Sequence, residues 1–173
     1  SGSSKSFTSK YLSNLVGGAY ILSTDDFFCD CETQEYKFIP ELLGQAHKWN
    51  FDRFKEVLAE QTKTIVIDNT NLDWPSIKPY WKEALKNDYL PFLWIIDSEW
   101  SENPEELFKR NVHKVPMETI VRQVEKFGRL KAQVESGEFN RFNYKVQLEV
   151  LLEKMPSQDS GEVIANHTKK QLD

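Results

Sequence analysis

Four aspartates stand where short apolar runs end, and a Lys-Ser pair stands at the start of the first helical stretch. Asp25 and Asp26 follow Ala19-Tyr20-Ile21-Leu22, Asp68 follows Thr64-Ile65-Val66-Ile67, and Asp97 follows Leu90 to Ile96. A carboxylate at the end of a buried strand can take a proton from an attacking hydroxyl as a general base. Another can help position Mg²⁺ through water. Each fits equally an ordinary strand-end turn or a helix cap. Gly2-Ser3-Ser4-Lys5-Ser6 matches the last part of a phosphate-binding P-loop, whose full pattern is Gly, four residues, Gly-Lys-Ser/Thr. In such a loop backbone N–H groups wrap phosphate oxygens, the lysine reaches the outer phosphates, and the serine hydroxyl ligates Mg²⁺. Ser4 stands where that pattern has its second glycine, and the first glycine falls ahead of Ser1. Read without the pattern, residues 1–6 are a floppy Ser/Gly lead.

The elements that must position these groups follow from periodicity. Phe7 to Val16 carries apolar residues at helical spacing and meets Gly17-Gly18, a helix stop. The apolar runs ending at Leu22, Ile67 and Ile96 read as three buried strands. Residues 29–39 read as a loop. Helices are expected from Pro40 to about Glu60, from Trp74 to Asn87 with Asp73 as cap, from Asn103-Pro104 to Asn111, and from Pro116 to Phe127. Pro79 is expected to kink or delay the second of these. One more helix is expected over Asn143 to Lys154, with a disordered tail over 155–173. Strands alternating with helices predict an α/β fold with a parallel sheet. In such sheets ligands bind beyond the carboxyl ends of the strands, so Asp25, Asp26, Asp68, Asn69 and Asp97 converge on one edge.

Composition narrows the classes. The chain has 173 residues, 39% of them hydrophobic and 13% aromatic, which excludes a wholly disordered protein. Its net charge of −5 argues against coating nucleic acid through overall charge. Between Lys109 and Lys131, however, seven basic residues face two acidic ones, a segment suited to a phosphate-rich ligand or simply a solvated helix face. No apolar run approaches the ~20 residues needed to cross a bilayer, so no membrane partner is expected. Cys29 and Cys31 are too few for structural zinc and fit a reducing, intracellular compartment, cytoplasmic or nuclear. His47, beside Trp49, reads as a helix-surface or core histidine.

Ser23-Thr24-Asp25-Asp26-Phe27-Phe28, Ala46-His47-Lys48-Trp49-Asn50, Ile67-Asp68-Asn69-Thr70-Asn71-Leu72 and Lys109-Arg110-Asn111-Val112-His113 occur in this order. Together with the loop at Lys5-Ser6 they resemble the P-loop polynucleotide-kinase-like family, akin to the phage polynucleotide 5′-kinase. The branch they resemble most is that of the NEDD-four-binding-protein-two-like proteins. The resemblance covers about residues 1–127, with a helical extension over 128–154. It implies a three-layer α/β/α P-loop fold and ATP-dependent transfer of a γ-phosphoryl group to a hydroxyl, in the founding case a polynucleotide 5′-OH. By position, Asp25 matches the general base and Arg110 a lid arginine that neutralises phosphate charge. Gly2, Ser3, Ser4, Lys5 and Ser6 match the ATP-binding loop. Ser6 would ligate Mg²⁺, and Asp68 would hold it through water. The implied partners are a nucleotide and a nucleic acid or small hydroxyl-bearing substrate. The alternative is a degenerate, non-catalytic nucleotide-binding or protein-interaction module of the same fold.

In that fold the P-loop follows a first strand that would precede Ser1. The expectation is therefore a domain whose first strand is missing. Its three remaining strands would be distorted or the slot between them otherwise closed, and nucleotide binding would be impaired.

Overall fold

The computed structural model describes residues 5–137 except 31, 34 and 112. The expected helix over Asn143 to Lys154 and the tail over 155–173 lie outside the described residues.

Five α-helices and two strands make a mixed α/β arrangement among the described residues: α1 (Lys5–Leu15), β1 (Tyr20–Leu22), α2 (Leu43–Ala59), β2 (Ile65–Ile67), α3 (Trp74–Lys86), α4 (Pro104–Lys109) and α5 (Met117–Glu135). The stop after α1 is made as the sequence predicts. Gly17 and Gly18 adopt φ of +74° and +113°, conformations that a side chain would strain, and the chain reverses into β1. The strands pair in parallel, with Tyr20 opposite Ile65, Ile21 opposite Val66 and Leu22 opposite Ile67. Leu22 is completely buried and packs with Phe54 and Leu58 of α2 and Ala84 of α3. This cluster fixes the carboxyl end of the sheet against two helices.

α3 starts where Asp73 caps it, accepting the Ser76 N–H, and runs through Pro79 without ending. Proline has no N–H, so the Pro75 carbonyl loses its helical partner there. The same helix also carries Ile77, one heptad before Ala84, into a second cluster with Ile95 and with Leu130 and Val134 of α5. α5 itself continues past Phe127 and through Gly128 to Glu135, longer than the sequence predicts. A lone glycine weakens a helix by only ~1 kcal/mol, and the burial of Leu130 and Val134 offsets it.

The third expected strand does not form. Among the described residues the sheet has only β1 and β2, and no backbone–backbone hydrogen bond joins 90–96 to another segment. The segment keeps the burial alternation of a strand: Ile95 is buried while Phe92 is 71% exposed. A strand, however, exists only through a partner whose N–H and C=O groups face it. Here the side chains of Leu93 and Ile95 dock on the helices while the ladder is missing.

Candidate functional site

Beyond the carboxyl ends of β1 and β2 the chain builds a polar cluster in which most groups are fixed by two partners. Ser23 caps a 3₁₀ turn over Thr24–Phe28 and accepts the Asp25 N–H. Its hydroxyl also donates to the Asp68 carbonyl at 3.1 Å. The Asp68 N–H in turn donates to the Leu22 carbonyl at 2.8 Å, extending the ladder by one residue. Asn69 accepts the Thr24 N–H through Oδ1 at 2.8 Å, and its amide sits 3.5 Å from the Tyr80 hydroxyl. Asn50, fully buried on α2, donates to the same hydroxyl at 3.3 Å. Burial raises the Tyr80 pKa, so the phenol stays protonated. Thr24 Oγ1 lies 3.3 Å from Nδ1 of His47, which places that histidine in the frame of the site. Of the five residues expected to converge, Asp25, Asp26, Asp68 and Asn69 lie beyond the ends of β1 and β2, whereas Asp97 follows a segment that joins no sheet among the described residues and pairs with Lys131.

The two neighbouring carboxylates have different surroundings. Asp26 is tied to Arg53 at 3.0 Å, and the Arg53 guanidinium lies 4.3 Å over the Trp49 ring. Among the described residues Asp25 has no lysine or arginine partner. Its Oδ1 accepts the Tyr36 hydroxyl at 3.4 Å, and its Oδ2 lies 3.7 Å from Nε2 of His113. The rings of Tyr36 and His113 stand 4.5 Å apart, tilted by 53°. Burial, assisted by the Asp25 charge, pushes the Tyr36 phenol up to about 12. Burial also raises the Cys29 thiol, with Asp26 and Asp25 adding to it. Tyr36 and His113 were not singled out by sequence reasoning. The one available signal was that His113 closes the Lys109–His113 motif.

Asp68 is buried, and its Oδ1 has no hydrogen-bond partner among the described residues. Leaving a buried carboxylate oxygen unpaired costs ~1–3 kcal/mol or more. The atom therefore fits a donor supplied from outside the chain, such as a metal-bound water.

Arg110 points elsewhere. Its guanidinium lies 4.0 Å over the Trp100 ring and 3.7 Å from Glu106. The side chain of the Lys109–His113 motif that approaches Asp25 is His113, not Arg110. The basic segment is also largely engaged: Lys109 pairs with Glu106, Lys126 with Asp73, and Lys131 with Asp97 at 2.7 Å and Glu102 at 3.4 Å. Lys131 is held above its ordinary pKa chiefly by the Asp97 hydrogen bond. Asp97 therefore pins α5 to the 90–98 segment and is not free for a ligand. Asp73 is depressed by Lys126 first and by Ser76 next.

Lys5 and Ser6 open α1, while Gly2, Ser3 and Ser4 lie outside the described residues. Among the described residues no hydrogen bond or ion pair links Lys5 or Ser6 to Asp25, Asp68 or Arg110. No cluster of three metal-ligating side chains occurs among them either, and no helix is long and apolar enough to cross a membrane.

No protein-family model matches the chain. Against individual proteins, 128 residues, 74% of the chain, are 39% identical to human NEDD4-binding protein 2. The chain is related to NEDD4-binding protein 2. It spans about 7% of that relative's length, so the likeness concerns one region of a much larger protein.

Proposed function

We propose that this chain is a P-loop kinase-like domain that transfers the γ-phosphoryl group of ATP to a hydroxyl acceptor. The observation that carries the reading is the difference between the two adjacent carboxylates. Asp26 is paired with Arg53, whereas among the described residues Asp25 meets the Tyr36 hydroxyl and, at 3.7 Å, the His113 imidazole, and Asp68 at the end of the neighbouring strand keeps a buried, unpaired Oδ1. That is the pairing of a proton acceptor with a metal-water anchor that phosphoryl transfer asks for. The motifs resembling polynucleotide kinases, and the relatedness to NEDD4-binding protein 2, support it.

In this reading Lys5 and Ser6 at the start of α1, with Gly2, Ser3 and Ser4 before them, hold the phosphates. Ser6 and Asp68 serve Mg²⁺, directly and through water. ATP supplies the transferable group, and Mg²⁺ neutralises its charge. The chain's own work is at the acceptor. Asp25 takes the proton as the acceptor oxygen forms its bond to the γ-phosphorus, and the bond from that phosphorus to the ADP oxygen breaks. Tyr36 holds Oδ1 of Asp25, which leaves Oδ2 toward the acceptor. Arg110 acts on phosphate charge only after leaving Trp100.

Labelled ATP, Mg²⁺ and a panel of 5′-OH oligonucleotides and nucleosides, incubated with the full chain, test the reading. Transfer of label to a hydroxyl supports it. Hydrolysis alone, or no turnover with intact Mg·ATP binding, supports instead a protein-interaction or nucleotide-binding module. The name of the relative, a binding protein, and the departure at Ser4 favour that second reading.

A further inference from the structure

Residues 90–96 place their side chains as a strand does, but among the described residues they lack its ladder. Ile95 is buried and Leu93 half-buried in the cluster that α3 and α5 build. Leu90 and Phe92, two residues apart, are 62% and 71% exposed, and Trp94 continues their row. Among the described residues, no backbone N–H or C=O group of 91–95 has a backbone hydrogen-bond partner. Each such group that is buried unpaired costs ~1–3 kcal/mol. A row of free ladder groups on a segment fixed by its own side chains is a template for one more strand.

The stretch Tyr144-Lys145-Val146-Gln147-Leu148-Glu149-Val150, outside the described residues, alternates apolar and polar side chains without a break. On a helix, residues two apart lie on nearly opposite sides, so half of these apolar groups would face water. On a strand all four share one face. The path of the chain brings the stretch to the right side of the molecule. Lys126 of α5 pairs with Asp73, the cap of α3. Leu130, one turn further along α5, joins the cluster of Ile77, one turn into α3. α5 therefore runs beside α3 in the same direction, back toward the side from which Leu90 sets out. Gly137, with φ of +72°, follows its end. The six residues 138–143 that come next can span ~20 Å. We propose that Tyr144 to Val150 is the ladder partner of 90–96, added to its free edge as a parallel strand. Parallel strands need a crossover of a dozen or more residues, which α4 and α5 supply. Lys145, Gln147 and Glu149 then face outward, as charged and polar groups do on an edge strand that resists further pairing. The inference uses none of the site residues and stands apart from the phosphoryl-transfer reading.

The test is NMR of the full, isotope-labelled chain. The expected result is a set of backbone NOEs between 92–96 and 144–150 in the pattern of parallel strands, with slow exchange of the ladder amides in 92–96. On an edge strand alternate N–H groups face the partner and the others face water, so proline is tolerated at every second position. Gln147→Pro and Leu148→Pro are each compared with alanine at the same position, which keeps the N–H. One of the two prolines should speed exchange of the 92–96 ladder amides by about tenfold or more, and the other should leave it within about threefold. The NOEs of the unsubstituted chain decide the matter even where a proline variant fails to fold. Helical chemical shifts over 143–154, the other reading of that stretch, overturn the proposal. So do equal effects of the two prolines, or fast exchange of 92–96 with no NOEs to 144–150. NOEs that arise only between differently labelled chains overturn it too, and make a second copy the occupant of the edge. Loss of the strand would leave the labelled-ATP result untouched, and absence of phosphoryl transfer would leave the strand untouched.

Discussion

Replacing Leu22 by alanine should be among the most damaging single changes in the described chain, and its cost can be worked from the packing. Leu22 is completely buried, and its neighbours come from α2 (Phe54, Leu58) and α3 (Ala84). Removing a buried leucine's outer atoms costs ~2–5 kcal/mol, depending on how far the surroundings collapse. Collapse is limited here, because β1 is held in register by β2 and the Leu22 carbonyl accepts the Asp68 N–H. We therefore expect about 3 kcal/mol or slightly more. For a urea dependence of ~2 kcal/mol per molar, the midpoint should fall by about 1.5 M. Val66→Ala on half-buried β2 is the control, with a loss of about 1 kcal/mol. Equilibrium urea unfolding followed by tryptophan fluorescence measures both. A Leu22→Ala loss below about 1 kcal/mol, or below that of Val66→Ala, would refute the placement of β1 at the centre of the first cluster.

Three further outcomes follow from the site and its supports. In an ultraviolet titration of the tyrosines, one phenol should ionise near 12, and Asp25→Asn should bring it part of the way toward ~10; no change would separate Tyr36 from Asp25. The sign is that of an acid whose pKa is raised by folding: Tyr36 lowers stability as pH rises from the unfolded value toward the folded one. Lys131→Met should loosen α5 by on the order of 1 kcal/mol at neutral pH, read by hydrogen exchange of α5 amides. The Lys131 pKa is raised, so this contribution is full below its unfolded value of ~10.4 and is lost as pH climbs through the folded one; a loss that persists there would contradict the ion pair. Asn69→Ala should cost ~1–3 kcal/mol, because the Thr24 N–H and the Tyr80 hydroxyl lose a partner together, and a change under about 0.5 kcal/mol in urea unfolding would remove Asn69 from the frame of the site.

What could be read from the sequence depended on how local its cause is. β1 and β2 are apolar runs bounded by glycine or polar residues and aspartate, and they form where the pattern puts them. The caps Asp73 and Asn103 work through atoms two or three residues away, so their chemistry is visible in the sequence. Residues 90–96 have as strong a strand pattern as either strand, but the ladder depends on a partner that no local pattern reports. The same holds at the site. Asp25 and Asp26 are adjacent and chemically identical, and the difference between them is made by Arg53, 27 residues past Asp26 on α2. Arg110 and His113 lie on one motif, yet Trp100 captures the first while the closure of the loop at Tyr36 brings the second to Asp25. Such meetings of loops are set by tertiary geometry, and spacing along the chain does not encode them.

The central claim, that Asp25 rather than its neighbour is the proton acceptor, is tested most directly by comparing Asp25→Asn and Asp26→Asn in the labelled-ATP transfer assay. Asparagine keeps the shape and removes the charge and the proton-accepting capacity, so Asp25→Asn should cut turnover by at least about 10²-fold while Mg·ATP binding is kept. Asp26→Asn should lower it by less than about tenfold, through the loosened Arg53 contact. Equal losses, or a larger loss at Asp26, would contradict the account.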